Sequence, residues 1–136
     1  MIVNAGGKNI YPGPIEETFK TSKWVDQLVV VGENQPFMAA LIVPDFEAIE
    51  TYAKQNDIQY SDIEELIEHE SIVNLFSKEV RSVSRDLASH EKIRDFRLVP
   101  NEFTVETGEL TPTLKVKRRV IQEKYEHLIS DIFDKE

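Results

Sequence analysis

Two apolar runs lie close together near the start of the chain. Leu28-Val29-Val30-Val31 ends at Gly32, and Phe37 to Val43 ends at Pro44. The connector Glu33-Asn34-Gln35-Pro36 is short and polar. Neither run alternates with polar residues, so the pattern predicts an antiparallel hairpin covered on both faces. A shorter pair precedes it: Ile2-Val3 and Asn9-Ile10 bracket Asn4-Ala5-Gly6-Gly7-Lys8. Paired glycines between short apolar runs predict a tight hairpin loop. Tyr11-Pro12-Gly13-Pro14 stops the second strand, and Pro14 suits the first turn of a helix carrying Ile15, Glu16, Glu17 and Phe19.

Helical spacing dominates the middle. Asp45 is a candidate N-cap for a helix with Phe46, Ile49, Tyr52 and Ala53 on one face. From Ser61, one stripe runs through Ile63, Leu66 and Ile67. A longer one runs through Val73, Leu75, Phe76, Val80, Val83 and Leu87, with Ser71 as its candidate cap. Phe96-Arg97-Leu98-Val99 before Pro100 predicts a strand, and Phe103 to Leu110 two further extended pieces around Gly108. A last helix is expected from Lys117 or Arg118, with Val120, Ile121, Tyr125, Leu128, Ile129, Ile132 and Phe133 on its apolar face. Strands and helices without regular βαβ alternation predict an α+β fold. Its expected core is a small antiparallel sheet of about three strands, including Leu28–Val31 and Met38–Val43, flanked by helices, with an N-terminal β-hairpin.

Composition narrows the chemistry. The 136 residues suit one domain, and 40% hydrophobic content suffices for a core. The absence of cysteine excludes disulfides, thiolate metal sites and cysteine nucleophiles. No apolar run approaches the ~20 residues of a membrane span. The net charge of −9 argues against a general nucleic-acid or anionic-membrane binder.

His69, His90 and His127 are too far apart for a metal-binding spacing. Ser82, Ser84 and Ser89 lack a nucleophile-elbow context and are expected on exposed helix faces. Glu64, Glu65, Glu68 and Glu70 are expected on a solvated face.

Two stretches remain. Gly6-Gly7 permits close backbone approach to a ligand, although a turn alone also needs such glycines. Thr111-Pro112-Thr113-Leu114-Lys115-Val116-Lys117-Arg118-Arg119 gathers four cations within an acidic chain. A lysine on such a loop can act as a mobile point charge on a carboxylate or phosphate, whereas the arginines can pair with acids or form a solvated basic face.

In their order and spacing, "MIVNAGGKNIYPGPIEE", "LVVVGENQPFMAALIVPDFEAIE" and "GELTPTLKVKRRVIQEKY" resemble the C-terminal domain of AMP-forming acyl-CoA synthetases, of the adenylate-forming superfamily. The resemblance is strongest to long-chain fatty acid–CoA ligases and covers essentially the whole chain. The family's late motif, Thr-Pro-Ser-Gly-Lys followed by two apolar residues and arginines, places the catalytic lysine at Lys115. Leu114 stands where that pattern has glycine, and Lys117 where it has an apolar residue. The early motif falls on Gly6-Gly7-Lys8-Asn9-Ile10.

The resemblance implies that residues 1–136 are the mobile C-terminal domain, cut at the interdomain hinge, with the N-terminal domain absent. That domain would hold the phosphate loop and the acyl tunnel, so the isolated chain is expected to be inactive. The implied enzyme is a ligase. It converts ATP and a fatty acid to acyl-adenylate with Mg²⁺, which this domain does not bind, and then transfers the acyl group to coenzyme A. Lys115 is the implied catalytic residue; Gly6, Gly7, Lys8, Arg118 and Arg119 are the candidates for contact with nucleotide or coenzyme A. The implied partners are the N-terminal domain of the same polypeptide and the substrates, without nucleic acid. The implied location is cytoplasmic, with peripheral membrane contact of the whole enzyme left open. The alternatives are an acyl–acyl-carrier-protein synthetase, or a non-catalytic module that binds a nucleotide, coenzyme A or a protein.

Overall fold

The structure is a computed structural model that describes residues 1–134. Strands β1 (Ile2–Val3) and β2 (Asn9–Ile10) form the N-terminal antiparallel hairpin, with Ile2 opposite Ile10. Helix α1 (Pro12–Phe19) follows at once. It opens at Pro12, earlier than Pro14, so Glu16 and Glu17 lie in its second turn and not at its positive end. Strands β3 (Val25–Val31) and β4 (Met38–Pro44) pair antiparallel, with Val29 opposite Leu41. Helices α2 (Phe46–Gln55), α3 (Ile63–Glu68) and α4 (Glu70–Ser84) then lead to β5 (Ile93–Leu98). Helices α5 (Arg118–Lys124) and α6 (Glu126–Phe133) close the chain.

The α+β class and the three-stranded sheet with an N-terminal hairpin are as expected. The third strand differs in direction: β5 joins β4 parallel, so the sheet is mixed, in the order β3-β4-β5. A hairpin turn reverses the chain between β3 and β4. Between β4 and β5 three helices carry it back to the same end, and a crossover of that kind permits parallel pairing.

The unbroken apolar run of β4 has its explanation in this order. As the central strand it is buried along all seven residues. Ala40 and Ile42 face one core with Leu28, Val30, Ile15, Ile49 and Phe76, beneath α1 to α4. Ala39, Leu41 and Val43 face a second core with Val29, Val31, Phe103, Ile121 and Ile132, beneath α5 and α6. Period-two alternation thus divides one apolar run between two cores.

Local chemistry sets the helix boundaries. Asp45 caps α2, its Oδ1 accepting from the Ala48 amide at 3.1 Å. At α4 the cap is His69 rather than Ser71: His69 Nδ1 accepts from the Ser71 amide at 3.1 Å, satisfying a first-turn donor. Ser84 is buried, not exposed, and its hydroxyl accepts from the Ile93 amide at 3.3 Å. The expected last helix is interrupted at Tyr125, whose backbone leaves the helical region at φ −111° and ψ 24°. Its ring packs edge-on against Phe103, with centroids 5.9 Å apart. Phe103 to Leu110 forms a loop rather than two strands, apart from a single bridge between Leu110 and Val116.

Two glycines play opposite parts. Gly32 closes the β3–β4 turn at φ 151°, and a Cβ there would stand 2.4 Å from Met38 Cε and 3.0 Å from the Phe37 carbonyl oxygen. Gly13 lies within α1 and a Cβ there meets nothing within 4 Å. Gly32→Ala is therefore expected to lose about 1–3 kcal/mol through overpacking. Gly13→Ala should change stability by less than about 1 kcal/mol, because alanine's better helix propensity is offset by the crowding of its Cβ against the ring of Pro14. Urea unfolding of both variants measures the difference.

Candidate functional site

The glycine loop is built around one side chain. Asn4 Oδ1 accepts from the amides of Gly6 at 3.0 Å and Lys8 at 2.9 Å, and the Gly7 amide donates to the Asn4 carbonyl at 3.0 Å. Gly7 adopts φ +81°, which a residue with a Cβ adopts only under strain. The hairpin is fastened to the β3–β4 turn: Ala5 donates to the Gln35 carbonyl and Asn34 to the Val3 carbonyl, each at 2.9 Å. Gly6, Gly7 and Lys8 themselves remain exposed. The glycines thus serve a defined turn, and that turn presents open backbone to solvent.

The basic stretch folds into a second hairpin. Leu110 bridges to Val116, the Thr111 amide donates to the Lys115 carbonyl at 2.8 Å, and the Leu114 amide donates to the Thr111 carbonyl at 2.7 Å. The Thr111 hydroxyl accepts from the Lys115 amide at 3.0 Å. Leu114 holds φ +66° with its side chain 68% exposed. A left-handed position is where glycine is cheapest, which gives a backbone reason for the glycine of the motif that this stretch resembles.

The four cations separate by partner. Arg118 Nη2 donates to Glu16 Oε1 at 2.8 Å, and its Nη1 donates to the Val30 carbonyl at 3.2 Å. The other Glu16 oxygen accepts from the Val30 amide at 2.9 Å. Arg119 reaches Glu123 at 3.5 Å on the exposed face of α5, a pair of little energetic consequence. Lys115 and Lys117 are both exposed, and neither ammonium has an ion-pair partner among the described residues. Only Lys115 of these two lines the groove of about 520 Å³ between α1, β3 and the hairpin, which it shares with Arg118 and Leu114. The fold therefore brings Lys115 and Arg118 to one groove and sets Gly6, Gly7 and Lys8 at the β3–β4 turn.

Glu109 was not singled out in the sequence, although it is the most buried carboxylate at this site, 2% exposed. It accepts from the Thr104 amide at 3.0 Å, from the Thr107 hydroxyl and from the Lys124 ammonium. Its backbone carbonyl accepts from the Lys117 amide at 2.8 Å, where α5 begins. Burial alone would raise its pKa. The bonds from Lys124, Thr107 and Thr104, with the Lys124 charge, outweigh burial and hold it below the ordinary glutamate range. The same pair raises the Lys124 ammonium. The stabilisation from Glu109 is therefore complete above the ordinary glutamate pKa and lost as pH falls through the lowered one. That from Lys124 is complete below the ordinary lysine pKa and lost as pH rises through the raised one. Two threonines at positions −5 and −2 from a glutamate were the available signal, but spacing does not reveal burial.

No group of three His, Asp or Glu residues able to hold a metal occurs among the described residues, and no helix there is long and apolar enough to cross a membrane.

Comparison with known proteins gives a consistent picture. The family profile described as "AMP-binding enzyme C-terminal domain" matches residues 1–136. Long-chain-fatty-acid–CoA ligase FadD15 of Mycobacterium tuberculosis is 38% identical over 137 residues, covering 100% of this chain and 23% of that protein. Human long-chain-fatty-acid–CoA ligase 1 is 30% identical over 132 residues, covering 95% of this chain and 19% of that protein. The chain thus spans less than a quarter of the length of these relatives. Among solved structures, the adenylation domain of a carboxylate reductase from Mycobacterium chelonae superposes with a TM-score of 0.79 at 26% identity, over 98% of this chain and 19% of that one.

Leu114 supplies a test of the hairpin geometry. A left-handed residue with a Cβ costs roughly 1–2 kcal/mol, while glycine carries an entropic cost of roughly 0.5–1 kcal/mol. Leu114→Gly is therefore expected to leave stability unchanged or raise it by up to about 1 kcal/mol. Leu114→Val, β-branched at positive φ, should lower it by about 1 kcal/mol or more. Thermal unfolding of the two variants checks the order.

Proposed function

This chain belongs to the AMP-binding enzyme C-terminal domain family, and from that premise we propose that it is the mobile C-terminal domain of a long-chain fatty acid–CoA ligase. The whole enzyme joins a fatty acid carboxylate to the α-phosphate of ATP, releasing pyrophosphate. It then passes the acyl group to the thiol of coenzyme A, releasing AMP. The partner of this domain is an N-terminal domain of the same polypeptide, which holds ATP and the acyl chain. Mg²⁺ travels with ATP as part of the substrate, and no residue of this chain is assigned to it.

The observation that carries the reading is Lys115: an exposed ammonium without a partner among the described residues, on a defined hairpin, at the edge of a groove, in the register of the family motif. In the first step two anions must meet, the carboxylate and the phosphate. A lysine between them offsets their repulsion and fixes the line of attack. Among the described residues its ammonium has no ion-pair partner, so no such pair must break when substrate arrives. Arg118 is engaged with Glu16 and Val30, which favours a supporting role for it over direct contact with nucleotide. In the second step the domain turns and presents the Gly6-Gly7 loop, whose exposed backbone admits the slender pantetheine arm. The proposed contact for a coenzyme A phosphate is Lys8, exposed beside that loop.

Two experiments on the full-length enzyme test the two halves. Lys115→Ala should slow adenylation about 10²–10³-fold while attack of coenzyme A on supplied acyl-adenylate persists. Lys117→Ala, which lies outside the groove, should change adenylation little. The reverse order of the two lysines would place the catalytic charge at Lys117, and no effect from either would reduce the stretch to a solvated face. For the second half, Gly6 is the better probe than Gly7, because it lacks positive φ and a Cβ there makes only an ordinary 3.5 Å contact with Asn4 Oδ1. Gly6→Trp should slow thioester formation more than adenylation in single-turnover assays. Equal losses would mean that the loop is only a turn.

A further inference from the structure

Lys115 stands beside the turn of a hairpin whose internal bonds set its shape, and where that turn stands on the domain depends on what holds the hairpin's root. The hairpin ends at Lys117, where α5 begins, and α5 carries a cation at each end. Arg118 at its start is tied to Glu16 and Val30, and Lys124 at its end is tied to Glu109. Glu109 in turn stands at the base of the hairpin, next to Leu110 of the Leu110–Val116 bridge. Its carboxylate gathers the Thr104 amide, the Thr107 hydroxyl and the Lys124 ammonium, while its carbonyl takes the Lys117 amide at 2.8 Å. Lys124 also donates to the Thr107 carbonyl at 3.3 Å. One buried residue therefore joins the loop before the hairpin, the root of the hairpin and both ends of α5.

We propose that Glu109 and Lys124 are positioning residues for adenylation: their buried pair fixes the root of the hairpin and thereby the reach of Lys115 into the groove. Neither needs to touch substrate. A carboxylate 2% exposed at the centre of three donors is poorly placed for proton transfer to a ligand, and well placed to keep a loop rigid. The pair shares no hydrogen-bond partner with the Gly6-Gly7 loop, which is held by Asn4. Its loss falls on the step that uses Lys115 and spares the step that uses the glycines. The proposal rests on the reading of Lys115 given above.

The test uses the full-length enzyme with Glu109→Gln, Lys124→Met, Lys124→Arg, the Glu109→Gln/Lys124→Met double variant, and Lys115→Ala alongside. Misplacing a reacting group by about 1 Å costs on the order of 10²-fold. Glu109→Gln and Lys124→Met should each slow single-turnover adenylation by about tenfold to a hundredfold, with thioester formation from supplied acyl-adenylate within about twofold. The double variant should be no slower than the worse single variant, because both remove one interaction. Lys124→Arg, which keeps the cation, should recover most of the rate. Hydrogen exchange should rise at the amides of Lys117 and Leu114 in the slow variants and remain unchanged at Gly7. Equal loss of both half-reactions with a lowered melting temperature would overturn the proposal, and so would unchanged adenylation or unchanged exchange at Lys117. If Glu109→Gln fails to fold, Lys124→Met on the half-exposed partner gives the same decision. If Lys115→Ala spares adenylation, the reading of Lys115 fails on its own, and the exchange at Lys117 still decides whether the pair anchors the hairpin.

Discussion

Val30 lies in an edge strand with both backbone groups turned away from β4, and a covered sheet edge cannot leave them unpaired. Each such group, buried without a partner, costs roughly 1–3 kcal/mol. Glu16 from α1 takes the amide and Arg118 from α5 fills the carbonyl, while the two side chains bind each other at 2.8 Å. The ion pair takes the place of one residue of a missing strand. This single arrangement sets α1, β3 and α5 relative to one another, and with them the walls of the groove that Lys115 lines. The Glu16 and Arg118 side chains are 15% and 30% exposed, so the pair is screened less than a surface ion pair. It also protects an apolar edge from pairing with another chain.

Elements governed by local rules were legible in the sequence. The Leu28–Val31 and Met38–Val43 runs, the Asp45 cap and the start of α5 near Arg118 follow from periodicity and turn chemistry, which act over a few residues. Interactions across long separations were not. Glu16 and Arg118 lie 102 residues apart, and nothing in either neighbourhood marks them as partners. The direction of β5 depends on where three helices leave the chain, not on the composition of Ile93–Leu98. The loop from Phe103 to Leu110 reads as extended because Phe103, Val105 and Leu110 are apolar, yet it coils around a buried carboxylate. Burying a glutamate is a costly choice that no propensity scale anticipates. The break at Tyr125 escaped for a similar reason, since the apolar stripe continues through it.

The candidate site was legible in a different measure. Lys115 and the two glycines stood out through motif resemblance, and their local conformations give physical reasons for the residue types. Gly7 is needed for its left-handed backbone, and Leu114 occupies such a backbone without being glycine. The role of the arginines was the least legible part. As a charge run, Lys115 to Arg119 looked like one feature; in the fold the lysines and the arginines separate by partner. The arginines are bound to acids, Arg118 firmly and Arg119 loosely, and the lysines have no ion-pair partner among the described residues. That division agrees with their chemistry, because a planar guanidinium suits a fixed fork of acceptors and a compact ammonium on a flexible stem suits a moving task.

An acidic domain gains something specific from this division. With a net charge of −9, a free cation would ordinarily find a carboxylate on its own surface and be spent there. The structure prevents this by geometry. Glu16, a largely buried acid that lines the groove, is already saturated by Arg118 and the Val30 amide, and Glu109 below the hairpin is saturated by Lys124, Thr107 and Thr104. Both of these acids have thus been given a different cation. Lys115 is left beside a turn whose backbone is fixed by internal hydrogen bonds, while its side chain has no partner among the described residues. A fixed root and a free ammonium are the two conditions for delivering a charge to a site supplied by another domain: the first sets where the charge arrives, and the second leaves it available on arrival.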